Sequence, residues 1–215
     1  LFRERQEYLD FLRTIEPQAS LTLGYYHAPS RTSYFFSGDK SLVASWRHEA
    51  THQLLHERLS AGPRVATEAN IWVVEGIAIY MESLRSCQGY RTLGGLEADR
   101  LQYARYRALR ENYHLPLPAL VTMGRQALQR DPRIRQLYSQ SAGLTHFLMD
   151  DQRGRYRPAL LQVLRKVYAG RDDPTTLAGA TGRPLEQLDR EYLSFLKIGD
   201  RELEQLDPDA HPTHL

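Results

Sequence analysis

The stretch Trp46-Arg47-His48-Glu49-Ala50-Thr51-His52 decides how the rest of the chain is interpreted. It holds two histidines four residues apart, and residues four apart lie on one face of a helix. His48 and His52 can therefore direct both imidazoles at one point, while Glu49 is offset by about 100° around the helix axis. A hydrolytic zinc site needs this arrangement of two neutral nitrogen donors and a carboxylate that takes a proton from water.

The residues that follow predict that this segment is a helix packed on a core. Ala44, Leu54, Leu55 and Leu59 recur on a helical period and form an apolar stripe. A catalytic zinc normally takes three protein ligands and leaves the fourth position for water, so a third donor must lie elsewhere. A third histidine six residues after the second is excluded, because that position is Arg58.

A carboxylate donor lies downstream, in an apolar run over residues 70–82 that holds Glu75 near its centre. An ionised carboxylate in such surroundings is costly unless it is paired or bound to a metal. Gly76 and Ala78 are small enough to let this second helix approach the first, and a glycine within a helix costs about 1 kcal/mol relative to alanine. The alternative is that Glu75 lies on a solvated helix face.

The two motifs together resemble those of the gluzincin metallopeptidases: His48-Glu49-x-x-His52 and Trp72-x-x-Glu75-Gly76-x-Ala78-x-Tyr80. The chain is most similar to the peptidase-MA-like families of bacteria, one of which is of unknown function, and the resemblance extends over residues 20–197. It implies a zincin-like fold, Zn²⁺ as cofactor with His48, His52 and Glu75 as ligands, and Glu49 as general base. It also slightly favours an extracytoplasmic location, either periplasmic or secreted.

One position departs from the thermolysin-type relatives. Those relatives carry an aspartate four residues after the third ligand, as a partner for a ligand histidine, and here that position is Ile79. The chain therefore resembles the aminopeptidase-like branch more closely. The residue that orients the histidines stays open between Glu82 and Asn70, and both are equally typical of a helix surface.

Other site residues follow from the same resemblance or remain open between two interpretations. In the aminopeptidase-like relatives a tyrosine on a later helix donates to the oxyanion, and Tyr138 is the best-placed match; it can equally be a core residue with its hydroxyl at the surface. His146, eight residues later, faces either the cleft or the core. His56 either lines the cleft or reaches solvent. Arg47 either contacts a substrate carboxylate or forms a surface salt bridge.

Residues 20–27 and 33–37 are rich in Leu, Thr, Tyr and Phe, and the intervening turn residues predict a β-hairpin. By resemblance, residues 33–36 border the cleft and pair with an extended substrate; the alternative is that the hairpin only covers the core. The helix that holds His48 and His52 is predicted to run to about residue 60. Other helices are predicted over residues 2–14, 69–85, 96–112, 124–130, 134–151, 156–169, 173–180 and 184–197.

The composition limits the other function classes. The net charge is +2 with arginines scattered beside acids, which indicates solvated faces and no nucleic-acid partner. The sequence contains no run of about 18 apolar residues, so no transmembrane segment is predicted. The single cysteine, Cys87, excludes a disulfide within the chain.

We therefore predict an α+β fold that is mostly α, with a small hairpin, an active-site helix pair and a C-terminal helical bundle. Residues 1–199 are expected to form one gluzincin-like peptidase domain, N-terminally truncated or excised, and residues 200–215 a loose tail. The expected function is zinc-dependent hydrolysis of a peptide or protein by a metal-activated water. The alternatives are an inactive metal-binding interaction module of the same fold, and a helical structural domain with an accidental motif. The oligomeric state is left open.

Overall fold

The computed structural model describes residues 1–16, 23–37, 42–59 and 61–205. These residues form a mostly helical structure with two small antiparallel sheets, which confirms the predicted class. The helices are α1 (Arg5–Ile15), α2 (Leu42–Arg58), α3 (Ile71–Glu82), α4 (Asp99–Leu109), α5 (Leu117–Leu120), α6 (Arg125–Arg130), α7 (Ile134–Asp150), α8 (Arg157–Tyr168), α9 (Thr176–Thr181) and α10 (Leu185–Gln205). The strands are β1 (Gly24–His27), β2 (Thr32–Phe35), β3 (Arg85–Cys87) and β4 (Tyr90–Thr92).

The predicted N-terminal hairpin is present as β1 and β2, while residues 20–22 of the prediction lie outside the described residues. A single 3₁₀ turn, Ala28–Ser30, joins the strands, and Arg31 takes the left-handed conformation that closes it. Phe2 adds a short bridge to Phe36, and α1 buries Tyr8 and Leu12 against this end of the hairpin. Aromatic packing therefore fastens the hairpin to α1, apart from the main helical core.

Helix α3 lies at the centre of the molecule. Every residue from Ile71 to Tyr80 is buried, as expected for a helix that is apolar on all sides. It packs between α2 and α7. A Cβ on Gly76 would lie 2.1 Å from Thr145 Oγ1 and 2.7 Å from the Ser141 carbonyl oxygen, both on α7. Gly76 is thus required for the approach of α3 to α7, and the predicted role in its approach to α2 is wrong.

The C-terminal helices enclose α3 and α7, and their buried side chains form the main core. Helix α10 continues to Gln205, so residues 200–205 of the predicted tail are helical, whereas residues 206–215 lie outside the described residues. The second ligand helix ends at Glu82 rather than residue 85, because the chain turns into the β3–β4 hairpin, which the sequence pattern did not predict.

The predicted apolar stripe of α2 is only partly buried. Leu55 and Leu59 pack against the main core, but Leu54 is 58% exposed. It shares the outer face of α2 with Val43 and Trp46, which are 54% and 44% exposed. No helix in the described part of the chain is long and apolar enough to cross a membrane.

Candidate metal centre

Helices α2 and α3 bring three potential ligand atoms to one point. The Nε2 atoms of His48 and His52 are 3.1 Å apart, and Glu75 Oε2 lies 3.6 Å from the first and 3.8 Å from the second. A triangle with these edges places a central ion about 2.0 Å from every corner, which matches the bond lengths of zinc to imidazole nitrogen and carboxylate oxygen. The predicted set of donors therefore converges, and its three atoms are placed so that they can hold a metal ion.

The three donors remain within reach of solvent. The side chains of His48 and His52 keep 15% and 16% of their surface exposed, and that of Glu75 keeps 11%. Fully enclosed groups would favour a closed structural site, whereas this partial exposure leaves one side of the site open to an ion, a water or a substrate.

Glu82 orients the first histidine. Its Oε1 lies 2.8 Å from His48 Nδ1, and its Oε2 accepts a hydrogen bond of 2.8 Å from Arg100 Nε on α4. Glu82 stands two helical turns after Glu75, so both carboxylates face α2, one at each nitrogen of the His48 ring. A carboxylate at Nδ1 fixes the ring and leaves Nε2 to bind a metal. Of the two candidates for this role, Glu82 is the one in position.

The other candidate, Asn70, is a structural residue at the start of α3. Its amide nitrogen donates to Asp172 Oδ2 at 3.0 Å and to the Asp173 carbonyl oxygen at 2.8 Å. Its amide oxygen accepts a hydrogen bond from Trp72 Nε1 at 3.3 Å. Asn70 therefore ties α3 to the loop before α9 and does not orient the histidines.

The donors influence one another strongly. Burial alone would lower the pKa of His48, but the hydrogen bonds with Glu75 and Glu82 outweigh it and raise this pKa to about 10. Burial lowers the pKa of His52 to about 4, with the charge of His48 acting in the same direction. Burial would raise the pKa of Glu75, yet the hydrogen bond with His48 and the neighbouring imidazoles lower it to about 2. A metal ion arriving at neutral pH thus meets an ionised Glu75 and a neutral His52, and must displace a proton from His48.

Glu49 is buried beside the donors and held by strand β1. Its Oε2 accepts a hydrogen bond of 2.8 Å from the Tyr26 backbone N–H. A Cβ on Gly24 would lie 2.9 Å from the Glu49 Cγ, so a glycine lets the strand lie against this side chain. Burial raises the pKa of Glu49 to about 7, and the charge of Glu75 adds to the rise while that of His48 opposes it. The role of Gly24 cannot be predicted from the sequence, because it depends on a contact with a residue 25 positions later.

Tyr138 on α7 lies next to Glu75. The pKa of its hydroxyl is raised well above the usual range, first by the negative charge of Glu75, then by burial, and then by a hydrogen bond with the Glu75 carboxylate. The hydroxyl therefore stays protonated and is a hydrogen-bond donor at every ordinary pH. The Tyr138 ring packs against the main core, and its role as an oxyanion donor stays a prediction.

The remaining histidine and arginine candidates lie apart from the ligand atoms. His146 is fully buried between α7 and α3, with its Nδ1 3.1 Å from Asp150 Oδ2. His56 packs edge-on against the ring of Tyr26, one turn beyond His52. Arg47 donates to the backbone carbonyl of Leu84, so it holds the end of α3 and is not directed at a substrate.

The edge of β2 is partly covered. The Phe2 N–H donates to the Phe35 carbonyl at 2.7 Å, and the Ser37 N–H donates to the Phe2 carbonyl at 2.9 Å. The expectation that residues 33–36 pair with a substrate therefore fails at Phe35, where the N-terminal segment already occupies the edge. The strand that lies against Glu49 is β1, through Tyr26 and Gly24.

Comparison with known proteins places the chain in a family without assigning an activity. Residues 42–169, more than half of the chain and including both ligand helices, match a family described as "Protein of unknown function (DUF1570)". No curated protein and no solved structure matches the chain. The chain therefore belongs to the DUF1570 family.

Proposed function

We propose that this protein is a zinc-dependent peptidase of gluzincin type, with His48, His52 and Glu75 as zinc ligands and Glu49 as general base. The observation that carries the proposal is the convergence of the two Nε2 atoms and Glu75 Oε2, which lie 3.1 to 3.8 Å from one another. An accidental motif would have no reason to direct three side chains from two helices at one point. The gluzincin assignment rests on the order and spacing of the two motifs.

The donor set suits zinc. Two imidazoles and one carboxylate form a mixed nitrogen and oxygen set of three, which is typical of catalytic zinc sites that keep a fourth position for water. Magnesium and calcium favour oxygen donors instead. When bound, zinc would lower the pKa of a water molecule towards about 7 and would polarise a substrate carbonyl.

Glu49 is suited to move the proton. The Tyr26 N–H engages its Oε2, which fixes the carboxylate and leaves Oε1 to accept a proton from water and return it to the leaving amine. Efficient proton transfer needs a base whose pKa lies near the working pH. The burial that raises the pKa of Glu49 to about 7 therefore favours this role, although a bound cation would lower that value.

Tyr138 is suited to stabilise the oxyanion that forms when the carbonyl is attacked. Its hydroxyl stays protonated because of the adjacent Glu75 charge, so it can donate a hydrogen bond to developing negative charge. In the free protein the hydroxyl experiences the charge of Glu75, and we expect it to turn towards the substrate during the reaction.

A strand edge next to the site supports a peptide as substrate. The Tyr26 N–H points away from β2 and towards Glu49, and alternate residues of an antiparallel strand face the same edge, so Gly24 shares this orientation. An extended peptide can add to such an edge through backbone hydrogen bonds, which would bring its carbonyl group near Glu49.

A second candidate function is an interaction module that binds metal without turnover. It is favoured by the exposed apolar side chains on the outer face of α2, namely Val43, Trp46 and Leu54. Exposed apolar groups that share one helix face are typical of a surface that contacts another protein.

The test compares the parent chain with Glu49→Gln after zinc loading. Glu49→Gln is expected to retain zinc, measured by metal analysis, and to cleave a mixed peptide library about 10²- to 10⁴-fold more slowly, because it lacks the base. The control Glu57→Gln changes an exposed glutamate on the same helix and is expected to match the parent. If Glu49→Gln cleaves peptides as fast as the parent, Glu49 is not the general base. A zinc-loaded parent that cleaves no peptide favours the interaction module.

A further inference from the structure

The side chain of Glu82 is enclosed at the end of α3, and each of its carboxylate oxygens has a partner. Oε1 lies 2.8 Å from His48 Nδ1, and Oε2 accepts a hydrogen bond of 2.8 Å from Arg100 Nε. Only 9% of the Glu82 side chain is exposed. An enclosed carboxylate is costly unless its oxygens have donors, so the orientation of Glu82 depends on both partners.

Arg100 occupies a position that its own helix does not favour. It is the second residue of α4, and the start of a helix carries a partial positive charge that repels a cation. The Arg100 side chain is 52% exposed, so burial of its apolar part does not explain its position either. The hydrogen bond and ion pair with Glu82 are the contacts that offset this unfavourable position.

The loop between Glu82 and Arg100 brings the two residues together, although they are 18 positions apart. The β3–β4 hairpin turns the chain back, and the Gly94 N–H donates a hydrogen bond of 2.8 Å to Ser83 Oγ. A side chain at Gly94 would strike the Tyr80 hydroxyl, so a glycine with a φ of 76° lets the loop close tightly against α3. The first turn of α4 is thereby held beside the last turn of α3.

We infer that Arg100 is a positioning residue of the metal centre, which acts on His48 through Glu82. Its Nε–H holds Oε2 of Glu82, so that Oε1 stays at His48 Nδ1 and His48 Nε2 stays directed at the metal. Without Arg100, Oε2 would lack its donor, and the carboxylate would turn towards water and release the imidazole. The inference rests on the proposed function for the metal and its ligands, and does not depend on peptide cleavage.

A second effect of Arg100 opposes the first and is smaller. The cation draws negative charge away from Glu82, which alone would make His48 a weaker ligand. Because about half of the Arg100 side chain is exposed, solvent and salt screen this charge. The loss of orientation therefore outweighs the change in charge, and removal of Arg100 weakens metal binding.

A double-mutant cycle of zinc affinity tests this role. Competition with a chromophoric chelator measures zinc affinity in the parent, Arg100→Gln, Glu82→Gln and the double variant. Arg100→Gln is expected to lower the affinity about fivefold, less than the roughly 10- to 100-fold cost of losing a direct partner of a ligand. In the Glu82→Gln background the same change is expected to cause no further loss, because a glutamine that accepts from His48 Nδ1 turns its NH₂ group towards Arg100.

Two further variants and a spectrum sharpen the test. Arg100→Lys keeps a cationic donor and is expected to lose less than about twofold in zinc affinity, since Oε2 needs a single donor. Arg110→Gln, which changes an exposed arginine directly after the other end of α4, is expected to match the parent. The visible spectrum of the cobalt-loaded chain depends on ligand geometry, so it is expected to change in Arg100→Gln and to stay the same in Arg110→Gln. Circular dichroism checks that every variant is folded.

The outcomes separate the role of Arg100 from the proposed peptidase activity. Zinc affinity that is unchanged in Arg100→Gln overturns the positioning role and leaves the metal centre standing. A loss of equal size in the parent and in the Glu82→Gln background also overturns it, because Arg100 would then act on the fold and not through Glu82. A loss that requires Glu82, in a zinc-loaded chain that cleaves no peptide, supports the positioning role and removes the peptidase proposal. A parent that takes up no zinc overturns both.

Discussion

Helix α3 takes part in two clusters that contain histidine and carboxylate side chains, one with α2 and one with α7, and they differ in how their polar atoms are directed. At the α2 side, the donor atoms of His48, His52 and Glu75 converge and remain partly exposed. At the α7 side, Asp150 accepts hydrogen bonds from the Tyr80 hydroxyl at 2.8 Å and from the Gly95 N–H at 3.3 Å, and its Oδ2 lies 3.1 Å from His146 Nδ1.

The comparison separates a binding site from a structural network. In the α7 cluster both carboxylate oxygens of Asp150 are used by protein donors, and His146 is fully enclosed, so the group holds α3, α7 and the loop at Gly95 together. In the α2 cluster three atoms that carry lone pairs face one another. This arrangement is unfavourable until a proton or a cation lies between them. Convergence and access indicate a ligand, whereas a carboxylate whose two oxygens both have protein donors indicates stability.

The largest effect is expected from a substitution that removes a ligand from the α2 cluster. His52→Ala removes one of three ligands and is expected to lower zinc affinity by about a thousandfold or more, because loss of an outer partner alone costs 10- to 100-fold. His56→Ala, one turn further along the same helix, is the matched control and should bind zinc like the parent. Competition with a chromophoric chelator measures both. Equal losses in the two variants would mean that His52 is not a ligand.

A change in the α7 cluster is expected to act on stability instead. His146→Ala leaves a cavity and deprives Asp150 of a partner, which should lower the free energy of unfolding of the metal-free chain by about 3 kcal/mol. Zinc affinity is expected to stay at the parent value. Urea denaturation measures the first quantity and chelator competition the second.

His27→Ala is the control for this second prediction. His27 is partly exposed at the end of β1, where its Nδ1 lies 2.8 Å from Ser30 Oγ, so its removal should change the free energy of unfolding by less than about 0.5 kcal/mol. A His146→Ala chain that is as stable as His27→Ala, or that loses zinc, would contradict the structural role of the α7 cluster.

The same comparison explains which parts of the site could be predicted from the sequence. The helical period places His48 and His52 on one face from four-residue spacing alone, and an acid within an apolar run singles out Glu75. The early hairpin and the long helices follow from local composition as well. These features depend on residues that are close in sequence, where geometry is fixed by the helix or strand itself.

Features that depend on which helix faces which could not be predicted in this way. Leu54 fits the apolar period of α2 and is nonetheless exposed, because the described part of the fold places no element over that face. Gly76 indicates a close approach to another helix, but the sequence does not show that this helix is α7 rather than α2. Glu82 is only a candidate from the sequence, because its role depends on the position of His48 Nδ1.

The smallest expected effect tests how Glu82 tunes the centre. Glu82→Gln keeps an acceptor for His48 but removes a negative charge, so it makes the imidazole a weaker ligand. The same charge, with that of Glu75, raises the pKa of His48 to about 10, which means that a proton competes with the metal at neutral pH. The substitution therefore weakens the binding of the metal to His48 and the binding of the competing proton together. At high pH, where proton competition is small, zinc affinity is expected to fall by about tenfold.

The sign of the pH dependence follows from this competition. As the pH falls below the pKa of His48, the parent must release a more tightly held proton than Glu82→Gln does, so the difference between the two affinities should shrink. Chelator competition at about pH 6.5 and about pH 10.5, on either side of the His48 pKa, is expected to give the larger loss at the higher pH. Glu57→Gln should show no loss at either pH. A loss for Glu82→Gln that is equal at the two pH values, or greater at the lower one, would mean that Glu82 does not hold a proton on His48 in competition with the metal.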